Sequence, residues 1–428
     1  MSILARSGSD AVCGPLKRRH RFAIFLPILA VTLTTSILQY FPRPYVYISM
    51  LWATVSVLIV LVATKPYAKA LWLNFAVVAF TLGGAELYFS EVYFNDEPPR
   101  ETEYSEDETN PGNTDIVDLF HHRLLGWAPI NGKSFVERAR FNNTLLYQVK
   151  YTIDGHGLRI ASPSVDAQRR KSNCLLFFGD SFTFGEGVKD EETMPYRVAQ
   201  KTNGRYEAYN FAFLGYGPHQ MLAQLQEGLV DAAIQCKPAV AIYQALPDHV
   251  SRAAGLEAWS QFGPKYVSDK DGLVLWKGRF EDEQPHGVLG AFRAFHRNLP
   301  KDAKRYLEKS AMYRALLFMH RPVNDDDIDV YLRIVDRSKQ VIESRYAGAS
   351  FHVVFWDFSG ENPVESKIID GLKQKGIPVH LISTILPEYR GHEEKFKIHH
   401  ADGHPNSLAH DLVADYIVKT IITPSLGS

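Results

Sequence analysis

The chain has 428 residues, with 47 lysines and arginines set against 48 aspartates and glutamates for a net charge of −1. That balance argues against a nucleic-acid partner, which would call for a basic face, and the length allows one large domain plus further elements. Three cysteines, at 13, 174 and 236, lack metal or redox spacing and read as free thiols.

Residues 1–21 form a polar, basic tail ending in Lys17-Arg18-Arg19-His20-Arg21. Three apolar stretches follow within 22–90: Phe22 to Phe41, Tyr45 to Thr64, and a weaker one from Ala70 to about Leu87. Each is long enough to cross a bilayer as a helix, and Tyr40, Tyr45, Tyr67, Trp72 and Tyr88 near their ends suit an aromatic belt. The basic cluster before the first stretch and Lys65 and Lys69 after the second fall on one side. The positive-inside rule therefore puts the amino terminus in the cytoplasm and everything after the third span outside the inner membrane. Glu86 reads as a solvated helix end.

Residues 91–113 are acidic and rich in turn formers, the composition of a flexible spacer. From 114 to 170 the chain reads as an extension of the next domain. Alternation through Tyr147 to Ile153 predicts a strand, and Asp154-Gly155-His156-Gly157 a turn. His121, His122 and His156 have no partner spacing for a metal.

From 171 to 428 strands and helices alternate, predicting an α/β fold with a doubly wound, mostly parallel sheet preceded by three transmembrane helices. Cys174 to Phe178 is an apolar run without alternation, as in a strand buried on both faces, and it stops at Gly179-Asp180-Ser181. Further strands are expected at Tyr206 to Phe211, Ala239 to Gln244, Phe351 to Trp356 and Pro378 to Ile382. Helices are expected at Pro218 to about Ala233, Val330 to Arg345, Pro363 to Lys375 and Asn406 to Ile421. An insertion over about 255–321 carries Trp259, Phe262, Tyr266, Trp276, Phe280, His286, Phe292, Phe295 and His296, which suit a sugar platform or the packing of a subdomain.

A serine at the carboxyl end of a buried strand stands where open α/β sheets bind ligands. It needs a base, a group orienting that base and donors for an oxyanion. In His400-Ala401-Asp402-Gly403-His404-Pro405-Asn406, positions two apart share a side of an extended segment, so Asp402 can orient His404 toward Ser181. His399 and His400 are the competing bases.

Gly179-Asp180-Ser181 together with Asp402-x-His404-Pro-Asn resembles the SGNH (GDSL-type) hydrolase superfamily over roughly residue 174 to the C-terminus. The resemblance implies an SGNH-like three-layer sandwich, Ser181 as nucleophile, His404 as base and Asp402 as its partner. Asn210 to Gly215 is similar to the family's second block and implies the Gly215 N–H, beside that of Ser181, as an oxyanion donor. The third block departs, with Ala245-Leu246-Pro247-Asp248-His249 in place of Gly-x-Asn-Asp, so that the remaining donor falls to Asp248 or His249, although an ionised carboxylate cannot donate. The Asp-x-His spacing resembles the branch of O-acetyltransferases and esterases acting on bacterial envelope polysaccharides. The expectation is a membrane-anchored extracytoplasmic esterase or O-acyltransferase working on acyl esters of an envelope glycan without metal or organic cofactor, transfer requiring a membrane-bound acyl-donor partner. The alternatives are an inactive glycan-binding or scaffold protein and a hydrolase of lipids or small esters.

Overall fold

The structure, a computed structural model, describes residues 15–41, 43–93, 100–106, 120–141, 144–163, 173–257, 259–269, 272–282, 287–317, 322–358 and 363–423. Most of the expected basic tail and much of the acidic spacer lie outside them. The chain forms two compact units, residues 1–98 with 285–319, and residues 99–284 with 320–428.

The first unit contains helices α1 (Pro15–Tyr40), α2 (Pro44–Val62) and α3 (Pro66–Tyr93), joined by α4 (Gly287–Arg297), α5 (Lys301–Leu307) and α6 (Ala311–Leu317). Among the described residues two helices, Pro44–Val62 and Pro66–Glu91, are long and apolar enough to cross a membrane, whereas the apolar stretch found in α1 is the shorter Phe25–Leu38. Glu86 is not the solvated end expected of it. It is 3% exposed, and its carboxylate accepts hydrogen bonds from Ser310 Oγ (2.7 Å) and from the backbone N–H groups of Ala311 (2.5 Å) and Met312 (3.1 Å). It thereby satisfies donors that the first turn of α6 leaves open.

The second unit is built on a five-stranded sheet, β1 (Asn173–Phe178), β2 (Glu207–Asn210), β3 (Lys237–Ala245), β4 (Ser350–Phe355) and β5 (Val379–Leu381). Every pairing is parallel and the spatial order is β5-β4-β3-β1-β2. Strand order therefore reverses between β1 and β3, the position where doubly wound sheets bind ligands. Leu176 and Phe178 of β1 join a core with Ala241, Tyr243 and Val353 on one face, while Leu175 and Phe177 join Val240, Ile242 and Val354 on the other. Burial of both faces is why the strand runs show no polar alternation. Helices Pro218–Gln226 and Asp325–Arg345 cover the first face, and Met194–Lys201 and Ser407–Tyr416 the second.

Three expectations change here. Cys174 and Cys236 are disulfide-bonded, with Cα atoms 5.8 Å apart, and are not free thiols. Asn173 of β1 pairs with Lys237 of β3, so the two cysteines stand side by side where parallel strands begin, at a separation a disulfide spans. The segment read as a spacer contains a strand, Glu101–Ser105, which pairs with Phe135–Phe141 and through it with Thr144–Tyr151 in an antiparallel sheet. The extension thus starts before residue 114. Finally, the insertion is divided: the part up to residue 284 belongs to the second unit and 285–319 to the first.

Candidate active site

β1 ends at Phe178, and Gly179 turns the chain at φ 152°, where an added Cβ would run into the Thr183 side chain and come within 3.0 Å of the Gln244 carbonyl oxygen. Glycine is therefore required at the turn. Asp180 caps the short helix Ser181–Phe184 by accepting the Phe182 N–H at 3.0 Å. Ser181 is left as the first helical residue, 6% exposed.

The imidazole facing Ser181 comes from the other end of the chain. Lys397–His399 and Asp402–Pro405 pair as a tight hairpin, and Asn406 locks its exit by accepting the Ala409 N–H (3.1 Å) and donating to the Lys395 and Lys397 carbonyls (2.9 and 3.1 Å). His404 Nε2 stands 2.8 Å from Ser181 Oγ and Nδ1 stands 2.5 Å from Asp402 Oδ1. The structure thus brings together three side chains whose serine and histidine are 223 positions apart. His399 accepts the Ala401 N–H instead, and its ring lies tilted against that of His400 with centroids 3.9 Å apart.

Sequence reasoning missed a second carboxylate. Glu186 Oε2 lies 3.2 Å from the same His404 Nε2 that faces the serine, and Arg100 bonds Glu186 and, at 2.5 Å, Asp402 Oδ2. Arg100 also donates to the Tyr147 hydroxyl at 3.0 Å. Arg159, 1% exposed, fixes the loop carrying Glu186 by donating to the carbonyls of Phe184, Gly185 and Val188 and to Asp190. A glycine on each side of Glu186, both at positive φ, was the available signal. Arg100, 302 positions from Asp402, offered none.

Burial opposes the imidazolium of His404, but Glu186 and Asp402 outweigh it and raise the histidine to about 10. For Glu186 itself burial is outweighed by His404 and Arg100, which hold it well below the usual carboxylate range. Asp402 is likewise lowered: burial opposes the carboxylate, but its bond to His404 prevails. Beside them, burial and the charge of Glu186 push Glu137 well above that range, and it accepts the Tyr151 hydroxyl at 2.5 Å.

Beneath the serine lies another buried group of charges. Asp180, fully buried, faces Arg252 Nη1 at 2.7 Å and His249 Nε2 at 3.2 Å. Burial raises its pKa, but Arg252 and His249 prevail and hold it low. Arg252 also donates to the Tyr216 carbonyl at 2.8 Å, which ties the Ser181 turn to the loop carrying Gly215. Gly215 sits at φ 72° with Trp259 Nε1 3.3 Å from its carbonyl oxygen. Among the described residues neither the Ser181 nor the Gly215 N–H has a recorded hydrogen-bond partner. Of the two residues expected to hold the remaining donor, Asp248 is exposed, and His249 is buried with Nδ1 2.6 Å from the Tyr243 hydroxyl and Nε2 on Asp180, so its ring braces the turn from below.

No family model matches the chain, and no curated protein does. Among solved structures it is similar to the crystal structure of TesA, at 12% identity over 59% of this chain and 99% of that one with a TM-score of 0.31. It is also similar to a putative GDSL-like lipase from Parabacteroides merdae, at 11% identity, 60% and 98% coverage and a TM-score of 0.30. A carbohydrate esterase described as having divergent catalytic and non-catalytic binding functions matches at 10% identity, 64% and 81% coverage and a TM-score of 0.33. Likeness at this level carries no inference about activity.

Two outcomes follow from the charges. A base must be neutral to act, so activity should climb with pH through the raised pKa of His404. Glu186→Gln removes one of the two carboxylates that raise it, so the acid limb of kcat/KM against pH should move down toward the ordinary histidine value of 6.5; an unmoved limb would refute the role given to Glu186. Arg252→Ala leaves Asp180 buried without its cation and should cost about 3–5 kcal/mol in denaturant unfolding of the detergent-solubilised chain.

Proposed function

We propose that this chain is a membrane-anchored, extracytoplasmic serine esterase or O-acyltransferase, acting on acyl esters of an envelope glycan. The observation that carries the reading is the continuous contact from Ser181 Oγ through the two ring nitrogens of His404 to Asp402, at 2.8 and 2.5 Å. Ser181 attacks the ester carbonyl carbon while its proton passes to His404 Nε2. Asp402 holds Nδ1–H and stabilises the imidazolium as it forms. Backbone N–H groups of Ser181 and Gly215 receive the oxyanion. The tetrahedral intermediate collapses by breaking the bond to the alkoxy oxygen, which leaves as the alcohol with the proton from His404. Water, or a sugar hydroxyl, then attacks the acyl-serine with His404 again as base, and Ser181 is restored. Transfer would draw its acyl group from a membrane-bound donor partner.

Location outside the cytoplasm is supported by the Cys174–Cys236 disulfide, a bond that persists in oxidising compartments, and by the basic cluster preceding the first of three spans. For that first span the support is α1, a helix of 26 residues. The glycan reading is supported by Trp259, which is 36% exposed and stands against Gly215, an aromatic face beside the proposed oxyanion donors.

A fluorophosphonate probe should label the wild-type chain and leave Ser181→Ala unlabelled; equal labelling of the two excludes the serine mechanism. With an acetylated oligosaccharide, Trp259→Ala should raise KM several-fold while hydrolysis of a small aryl acetate keeps its kcat. Acceptor-dependent product from the aryl acetate identifies transfer, and release in water alone identifies hydrolysis.

A further inference from the structure

Residues 287–317 leave the catalytic sequence between β3 and β4 and fold with the anchor. Polar contacts among the described residues hold them there. Lys309 Nζ donates to the Leu38 carbonyl near the end of α1 at 2.7 Å, and Tyr45 near the start of α2 donates to the Tyr306 carbonyl at 2.9 Å. Glu86 near the end of α3 caps α6. The end of α1, the start of α2 and the end of α3 are successive arrivals and departures of the chain at one end of the three helices, and Arg43 joins Glu91 there at 3.0 Å. All three docking contacts are made at that end, which is the outer one on the topology proposed above.

The segment's own pattern is that of an element lying along a surface. α4 turns Phe292 and His296 onto Tyr313 of α6, with ring centroids 5.1 and 5.8 Å apart, and buries Gly290. The other side of α4 presents Val288, Ala291 and Phe295, spaced three and four apart as on one helix face, and all three are exposed, Val288 to 87% and Phe295 to 57%. An apolar stripe on a helix of a folded unit calls for an apolar surrounding. The sequence 287–317 supplies seven lysines and arginines against two acids, the charge that suits anionic headgroups. At the same end, Leu87 and Tyr88 of α3 are exposed beside the buried Glu86, 41% and 59%, so an exposed apolar surface also marks the spans where the segment docks.

We propose that residues 287–317 are a fourth, non-spanning membrane element that lies in the outer phospholipid interface, with the Val288–Ala291–Phe295 face in the acyl–headgroup boundary. The proposal rests on α1, α2 and α3 crossing the bilayer with the amino terminus inside, as proposed above. It gives the catalytic unit three chain connections to the anchor, at 98–99, 284–285 and 319–320, in place of a single spacer.

The test uses the full chain in phospholipid nanodiscs, with Cys13→Ser and the disulfide kept, and one spin label at a time at positions 288, 295, 80 and 367. Phe80 is 74% exposed within α3, and the Lys367 side chain is 54% exposed on the catalytic unit. Labels at 288 and 295 should collide with oxygen as the label at 80 does and be shielded from a nickel chelate relative to 367, the more so when phosphatidylglycerol replaces phosphatidylcholine. Nickel access equal to that at 367 overturns the proposal provided position 80 is lipid-exposed; if position 80 itself is open to nickel, it is the spanning reading that fails. Shielding from both reagents would mean that a protein partner or second copy covers the stripe, which also overturns it, and shielding indifferent to lipid charge removes the headgroup part.

Discussion

Everything at the site depends on one partly buried imidazole held between two carboxylates. His404 receives Asp402 on Nδ1, and its Nε2 faces both Ser181 and Glu186. A single carboxylate would orient the ring and leave its proton affinity modest, whereas two in a poorly solvated pocket favour the cation strongly. Arg100 bonds to both carboxylates and limits that effect, since its positive charge opposes a second one on the ring. The other ionisable neighbours do little to change the balance: Glu137 is held toward its neutral form, as is His410 behind the hairpin, where burial is the main cause. Geometry and charge therefore make different demands on the same ring, and the positions of Arg100 and Glu186 decide the compromise.

The serine depends on a second ionic group with the opposite purpose. Asp180, Arg252 and His249 are packed beneath the turn with little access to water, and breaking such a group leaves an uncompensated charge. Arg252 also reaches the Tyr216 carbonyl, so the turn presenting the hydroxyl and the loop presenting Gly215 are held by one guanidinium. That connection fixes the two backbone segments proposed to face the oxyanion, and His249 supports the serine turn from below.

The division of the insertion has a simple physical basis. Trp259 and Phe262 pack near the catalytic loops, with Trp259 on Gly215. Beyond residue 284 the chain becomes amphipathic with helical spacing, and the carboxylate of Glu86 provides hydrogen-bond acceptors that the start of α6 would otherwise lack.

Local chemistry made much of this legible from the residues. Apolar runs without alternation, stopped by Gly179, marked β1 and the serine turn because a doubly covered strand and a positive φ each restrict residue choice. The two-residue spacing of Asp402 and His404 marked their contact for the same kind of reason, since an extended segment dictates which side chains share a side. Two helices long and apolar enough to cross a membrane were likewise legible from length and apolarity. What the sequence could not determine were contacts joining residues far apart, because no local preference encodes them. These include Arg100 against Asp402, Glu186 against His404, Cys174 against Cys236, and Glu86 against Ser310. The polar pairings are stabilised by exclusion of water in the folded state, and the disulfide forms because the fold sets two strand ends side by side. Only the tertiary structure, which creates that dry environment, decided who the partners would be.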